Sequence, residues 1–269
     1  MTSTAPTETQ IRSVNPVVNL GFVESQLTPT VAAPKTMSVA GFTMKTMVLL
    51  AFAVAGGAWG WASATEQVPD QLGAGYGDTT VTIPGGFWLA SFAAIVLAIF
   101  ITVSPRRAAP LGILYAVLQG YCLGAISASF EQQTEGIVSA AVLSTFCVFV
   151  VALLLYVTGF VRPTQKLAFG VLAGVGGLCL LYLFVFVLSI FNWDWVYSEN
   201  FVTIGLIVTI IAIVLAALSL VLYFGAVEAG VEAGAPKDLE WYLAFGLVVE
   251  LIWLYVELVR LLALLARNR

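Results

Sequence analysis

Three charged side chains lie inside the last apolar stretch of this chain: Glu250, Glu257 and Arg260. Charge at the centre of a membrane helix costs ~2.5–3.5 kcal/mol on insertion scales, so each is a candidate for handling ions or protons. Glu257 and Arg260 are three apart, which on a helix puts them on one face where they can pair. Glu250 precedes Glu257 by seven residues and shares nearly that face, about 10.5 Å away by helix rise. The chemistry this pattern allows is a gating carboxylate at Glu257, a partner at Arg260 and a second acid at Glu250. The plainer alternative is an ion pair that only fixes helix orientation, with Arg260 snorkelling toward the outer headgroups beside Arg267 and Arg269.

Something must shield these charges, and the rest of the chain supplies it. Seven apolar stretches follow one another: about Thr43–Ala64, Gly86–Ser104, Pro110–Ser129, Ile137–Phe160, Leu167–Ile190, Phe201–Val227 and Leu239–Leu265. Each has the ~17–25 residues that cross a hydrocarbon core. Lipid leaves backbone polar groups no partner outside the segment, so such spans are helical. Arg12, Lys35, Lys45, Arg106, Arg107, Arg162, Lys166 and Lys237 fall in the tail, at the start of the first span or in the even-numbered connections. The odd connections carry Glu66, Asp70, Asp78, Glu131, Glu135, Asp194 and Glu199 and no base. Bases mark the cytoplasmic side of short loops, which places the amino terminus inside and, after seven crossings, the carboxyl terminus outside. The expected fold is an all-α membrane protein, a bundle of seven transmembrane helices with the last one central, because that helix carries the charge the others must cover.

Composition agrees. Hydrophobic residues make up 60% of the 269, charged residues 10%, and the mean hydropathy is +0.99. No basic cluster reads as a nucleic-acid surface. Histidine is absent, which removes imidazole relays, Ser-His-Asp catalysis and His-containing zinc sites. The last span has no lysine for a retinal Schiff base. A hydrolase using the two glutamates is the weakest class left, and the chain is read as a non-enzyme without cofactor or resident metal. Residues 1–42, with Pro6, Pro16, Pro29 and Pro34 among Thr, Ser and Gln, read as a disordered cytoplasmic tail. Residues 43–269 form the transmembrane domain. Gly73, Gly75 and Gly77 read as a flexible turn, since no strand and capped helix frame them as a phosphate cradle requires. Cys122, Cys147 and Cys179 each sit within a span and read as packing residues. Gly120/Gly124 and Gly170/Gly174 are small-residue pairs of the kind that lets helices approach closely.

At the carboxyl end, Gly230–Leu262 reads GVEAGAPKDLEWYLAFGLVVELIWLYVELVRLL. This block resembles the Bax inhibitor family, in the branch found in high-GC Gram-positive bacteria. MKTMVLL at Met44–Leu50, YAVLQGYCLGAIS at Tyr115–Ser127, EGIVSAAVLST at Glu135–Thr145 and YVTGFVRPTQKL at Tyr156–Leu167 match in the family's order. The resemblance implies a seven-helix bundle in a bacterial plasma membrane and, for some members, a pH-sensitive calcium leak, with calcium or protons as the species that move. It also implies an acid near the end of the sixth helix paired with one in the seventh. Glu257, within LYVEL, matches the second. The first falls on Tyr223, where this branch usually shows Asp-Phe-Asp and this chain has Tyr223-Phe224-Gly225. A phenol cannot share a proton with Glu257 near neutrality as a second carboxyl could, so the expected leak is weak. Where the branch would carry a small polar residue, this chain has Glu250. The alternative is a non-transporting membrane scaffold or stress-regulatory protein of the same fold.

Overall fold

Ser38 opens the first helix. Its hydroxyl accepts the Gly41 N–H at 3.0 Å and so satisfies one of the donors that a helix start leaves free. The computed structural model describes residues 36–67, 79–190 and 199–267. Most of the expected tail, residues 1–35, lies outside them, as do Asp70, Gly73, Gly75, Gly77, Asp78 and Asp194. α1 spans Val39–Ala64 and begins four residues earlier than the apolar run alone indicated, because the cap rather than hydropathy sets the boundary.

A short antiparallel ribbon follows, β1 (Thr65–Gln67) against β2 (Thr79–Val81), with Thr65 opposite Val81. Its β-branched Thr and Val suit a strand. α2 is Phe87–Val103, a 3-10 turn covers Pro105–Arg107, and α3 is Ala108–Gln133. Pro110 sits in the first turn of α3, where its missing N–H breaks no helical bond. Between α3 and α4 (Ile137–Val157) the chain turns through Gly136 at φ 80°. The Glu131 carboxylate accepts N–H bonds from Gly136 at 2.6 Å and Val138 at 2.9 Å, capping the α4 start. α5 (Gln165–Ile190), α6 (Glu199–Glu232) and α7 (Leu239–Arg267) complete the chain.

Among the described residues, five segments are long and apolar enough to cross a membrane: α1, Pro105–Gln133, α4, α5 and Ile204–Glu232 of α6. α2 is shorter, at 17 residues, and α7 carries its acids and arginine within its length. α7 packs against α1, α3, α4 and α6, whereas α2 rests chiefly on α3 and α5 on α6. Leu243, Phe245, Val248, Leu254 and Leu258 of α7 are buried in the main core. The last helix is therefore the central one, as its charge requires.

The tightest seam joins α1 to α3. A methyl at Gly120 would run into the Ala53 backbone, and one at Gly124 into that of Gly57; Gly56 and Gly60 face Val117 and Tyr121 in the same way. Lipid tails are as apolar as leucine, so close van der Waals contact must hold these helices together, and glycine permits it. The second glycine pair behaves differently. A methyl at Gly174 would stand 2.8 Å from Leu215 of α6, but one at Gly170 would meet open space.

Candidate functional site

Glu257 is 3% exposed. The Tyr182 hydroxyl of α5 donates to its Oε1 at 2.8 Å, and the Trp253 indole N–H, one turn earlier on α7, donates to the same oxygen at 3.2 Å. Its Oε2 is buried without a hydrogen-bond partner. The ion pair expected from the spacing of Glu257 and Arg260 does not form. Among the described residues, Lys45 and Glu240 are the pair within ion-pair distance. Two donors already converge on Glu257, and the Arg260 guanidinium instead stands over the Tyr182 ring, 5.4 Å from its centroid. Tyr182 thus lies between the acid and the base.

Glu250 belongs to a second cluster, nearer the cytoplasmic end of α7 in the expected orientation. It is 9% exposed; Ser219 of α6 lies beside its carboxyl, and Oε1 is buried without a hydrogen-bond partner. Tyr223 lies four residues after Ser219, on the same face of α6. A methyl at Gly246 of α7 would stand 2.6 Å from Tyr223 Cε1 and 2.7 Å from its hydroxyl. Gly246 is one turn before Glu250, so the phenol and this carboxyl are neighbours across the α6–α7 seam. Tyr223 is about 16 Å by helix rise from the level of Glu257. The structure therefore groups Tyr223 with Glu250, and Glu257 with Tyr182 and Arg260. The pairing of positions 223 and 257 implied by resemblance is not formed. Antiparallel register is the reason: the short connection between α6 and α7 fixes which residues meet.

Gly225 is also constrained. A side chain there would meet the Pro163 ring at 2.5 Å, in the connection between α4 and α5.

The sequence reading missed a third charged cluster. Glu240, in the first turn of α7, is fully buried. Lys45 Nζ of α1 reaches its Oε2 at 2.7 Å, and the Ser38 N–H donates to Oε1 at 2.8 Å. Lys45 also donates to the Lys237 carbonyl at 3.0 Å and lies 5.3 Å from the Trp241 ring centroid. A methyl at Gly41 would run into the Glu240 carboxylate. Beside this cluster, Thr36 bridges Pro236 and the Met37 N–H donates to the Ala235 carbonyl at 2.7 Å. The start of α1 is thus fastened to the start of α7. The signal available in the sequence was a lysine and a glutamate, each within the first two turns of an apolar helix.

Among the described residues no three His, Cys, Asp or Glu side chains gather as a metal site would require. Calcium takes six to eight oxygens when it is held, more than the two α7 carboxyls supply. Cys122, Cys147 and Cys179 are free thiols; Cys122 is buried, as a packing residue should be, whereas Cys147 and Cys179 are exposed.

Among curated proteins none matches the chain. A family model described as Bax inhibitor 1 like matches residues 6–267, nearly the whole length. A polytopic helical chain with this central last helix, matched from end to end, belongs to the Bax inhibitor 1 like family of membrane proteins.

Proposed function

We propose that this protein is a weak cation-leak protein of a bacterial plasma membrane, with calcium or protons as the species moved. In this reading α2 and α7 cross the membrane along with the other five helices, and the amino terminus is cytoplasmic. The observation that carries the reading is the pair of buried carboxyls on α7. Glu250 and Glu257 sit seven residues apart, each with one oxygen lacking a partner and neither within ion-pair distance of a lysine or arginine among the described residues. Buried polar atoms are nearly always satisfied, and a carboxyl is costly to leave incomplete in lipid. Transient occupancy by a cation or proton would relieve both. Tyr223, packed across the seam one turn from Glu250, narrows this path from the cytoplasmic side and keeps the leak small.

A non-transporting scaffold or stress-regulatory role is the second reading. It is favoured by that same ring, which fills the space in front of Gly246. Calcium flux into liposomes separates the two. A leak predicts a small flux that falls with Glu250→Gln or Glu257→Gln and rises with Tyr223→Asp. A scaffold predicts no flux from any of these chains.

A further inference from the structure

A lateral groove with a volume of about 1280 Å³ opens between α1 and α4 and is floored by α6 and α7. Along α1 its lining runs from Val39 to Trp61, about 33 Å by helix rise and close to the ~30 Å depth of a hydrocarbon core. Phe146 and Phe149 of α4 and Phe224 of α6 make its walls bulky and apolar. One mouth is acidic. Glu228 and Glu232, at the end of α6, both line it and are exposed. The Tyr156 hydroxyl donates to Glu228, and among the described residues no lysine or arginine lies within ion-pair distance of either acid. Lys45, at the same end of the bundle, is committed to Glu240. At the opposite end Ser127 and Tyr255 hydrogen-bond to each other at 2.7 Å, and no charged side chain lines the groove there.

We propose that this groove binds a single-headed, lipid-like amphiphile with a cationic headgroup. Its alkyl chain lies along the floor, and its ammonium group rests between Glu228 and Glu232. Bulk lipid tails fill an apolar groove as well as any other chain does, so selectivity must come from the head. An ammonium at a carboxylate makes a charge-assisted hydrogen bond that a neutral or anionic head cannot make. A partner helix suits the groove less well. Where helices pack closely in this molecule they do so on glycines, as α1 and α3 do, whereas Phe146, Phe149 and Phe224 hold a helix backbone away from this floor. The inference does not depend on the ion-leak reading.

The test uses the full chain in nanodiscs of neutral phosphatidylcholine and hexadecylamine carrying a diazirine on its chain. Crosslinks are mapped by mass spectrometry, and affinity is read by competition with unlabelled hexadecylamine, hexadecanol or palmitate. Labelling is expected on the α4 and α7 faces of the groove, with hexadecanol and palmitate at least roughly tenfold weaker competitors, equivalent to about 1.4 kcal/mol. The paired change Glu228→Gln with Glu232→Gln should lose about tenfold in amine affinity, and Thr145→Trp, which fills the groove, should abolish labelling. Tyr156→Phe removes the hydrogen bond to Glu228 but keeps the charge, so it should bind as the parent does. Equal competition by hexadecanol, unchanged affinity in the glutamine pair, or labelling spread over the lipid faces of α2 and α5 would overturn the proposal. Crosslinking of a second copy across the groove, with no amine-dependent labelling, would overturn it in favour of a protein partner.

Discussion

The two acids of α7 differ in what holds them, and this decides how each responds to substitution. Glu257 accepts two hydrogen bonds on one oxygen and has no salt bridge. Removing one partner of a buried ion pair costs about 3–5 kcal/mol, because the other charge is left alone. Glu257→Gln leaves no such orphan, since Arg260 rests on the Tyr182 ring. We expect Glu257→Gln to cost no more than about 1.5 kcal/mol, the net worth of an ordinary hydrogen bond. Coupling to Arg260→Ala in a double-mutant cycle should be under about 0.5 kcal/mol. Thermal unfolding of the four chains in detergent measures both, and a coupling of several kcal/mol would mean that the pair forms after all. Gly225 carries a second expectation. Restoring the branch's acid there by Gly225→Asp drives a side chain into Pro163, which the structure brings to 2.5 Å of a methyl. Overpacking of this kind costs about 1–3 kcal/mol. Gly225→Asp should therefore lower the melting temperature, and Pro163→Ala in the same chain should recover most of the loss.

At the scale of elements, the fastening of α1 to α7 is the feature to perturb. Lys45→Met leaves Glu240 fully buried with the Ser38 contacts alone, and a loss of about 3–5 kcal/mol is expected. Adding Glu240→Leu removes the uncompensated charge and should return part of that stability, as hydrophobic replacement of a buried pair often does. The melting temperatures of the single and double variants decide this; equal melting of Lys45→Met and parent would show the pair to be solvated. How much of this was legible in the sequence follows from range and chemistry. The helices could be placed from the chain because lipid forces apolar runs into helices, and α7 could be placed at the centre because Glu250 and Glu257 cannot face tails. The Lys45–Glu240 pair could not, because its members are 195 residues apart and each resembles an ordinary residue near a span end. Tyr182 and Trp253 were hidden for another reason. An aromatic residue in an apolar run looks the same whether it fills space or aims a hydroxyl or N–H at an acid. The start of α1 was misplaced because Ser38 sets it through a cap that hydropathy does not register.

For the whole molecule, orientation and conduction are the open quantities. With the native cysteines removed at 122, 147 and 179, Thr82→Cys and Gln133→Cys should react with an impermeant maleimide added outside cells. Arg106→Cys and Lys237→Cys, which are also exposed, should react only after the membrane is opened. Labelling of Arg106→Cys from outside would reverse the orientation drawn from the charges. The central claim is that a cation path follows α7 and that Tyr223 narrows it beside Glu250. Calcium flux into liposomes, measured between pH 5 and 8 for the parent, Glu250→Gln and Tyr223→Asp, tests it most directly. The account predicts a small parental flux that changes little with pH and falls in Glu250→Gln. It predicts a larger, pH-dependent flux in Tyr223→Asp, where two carboxyls would face each other across the seam. A strong leak from the parent that Glu250→Gln leaves untouched, or no flux from any of the three, would contradict it.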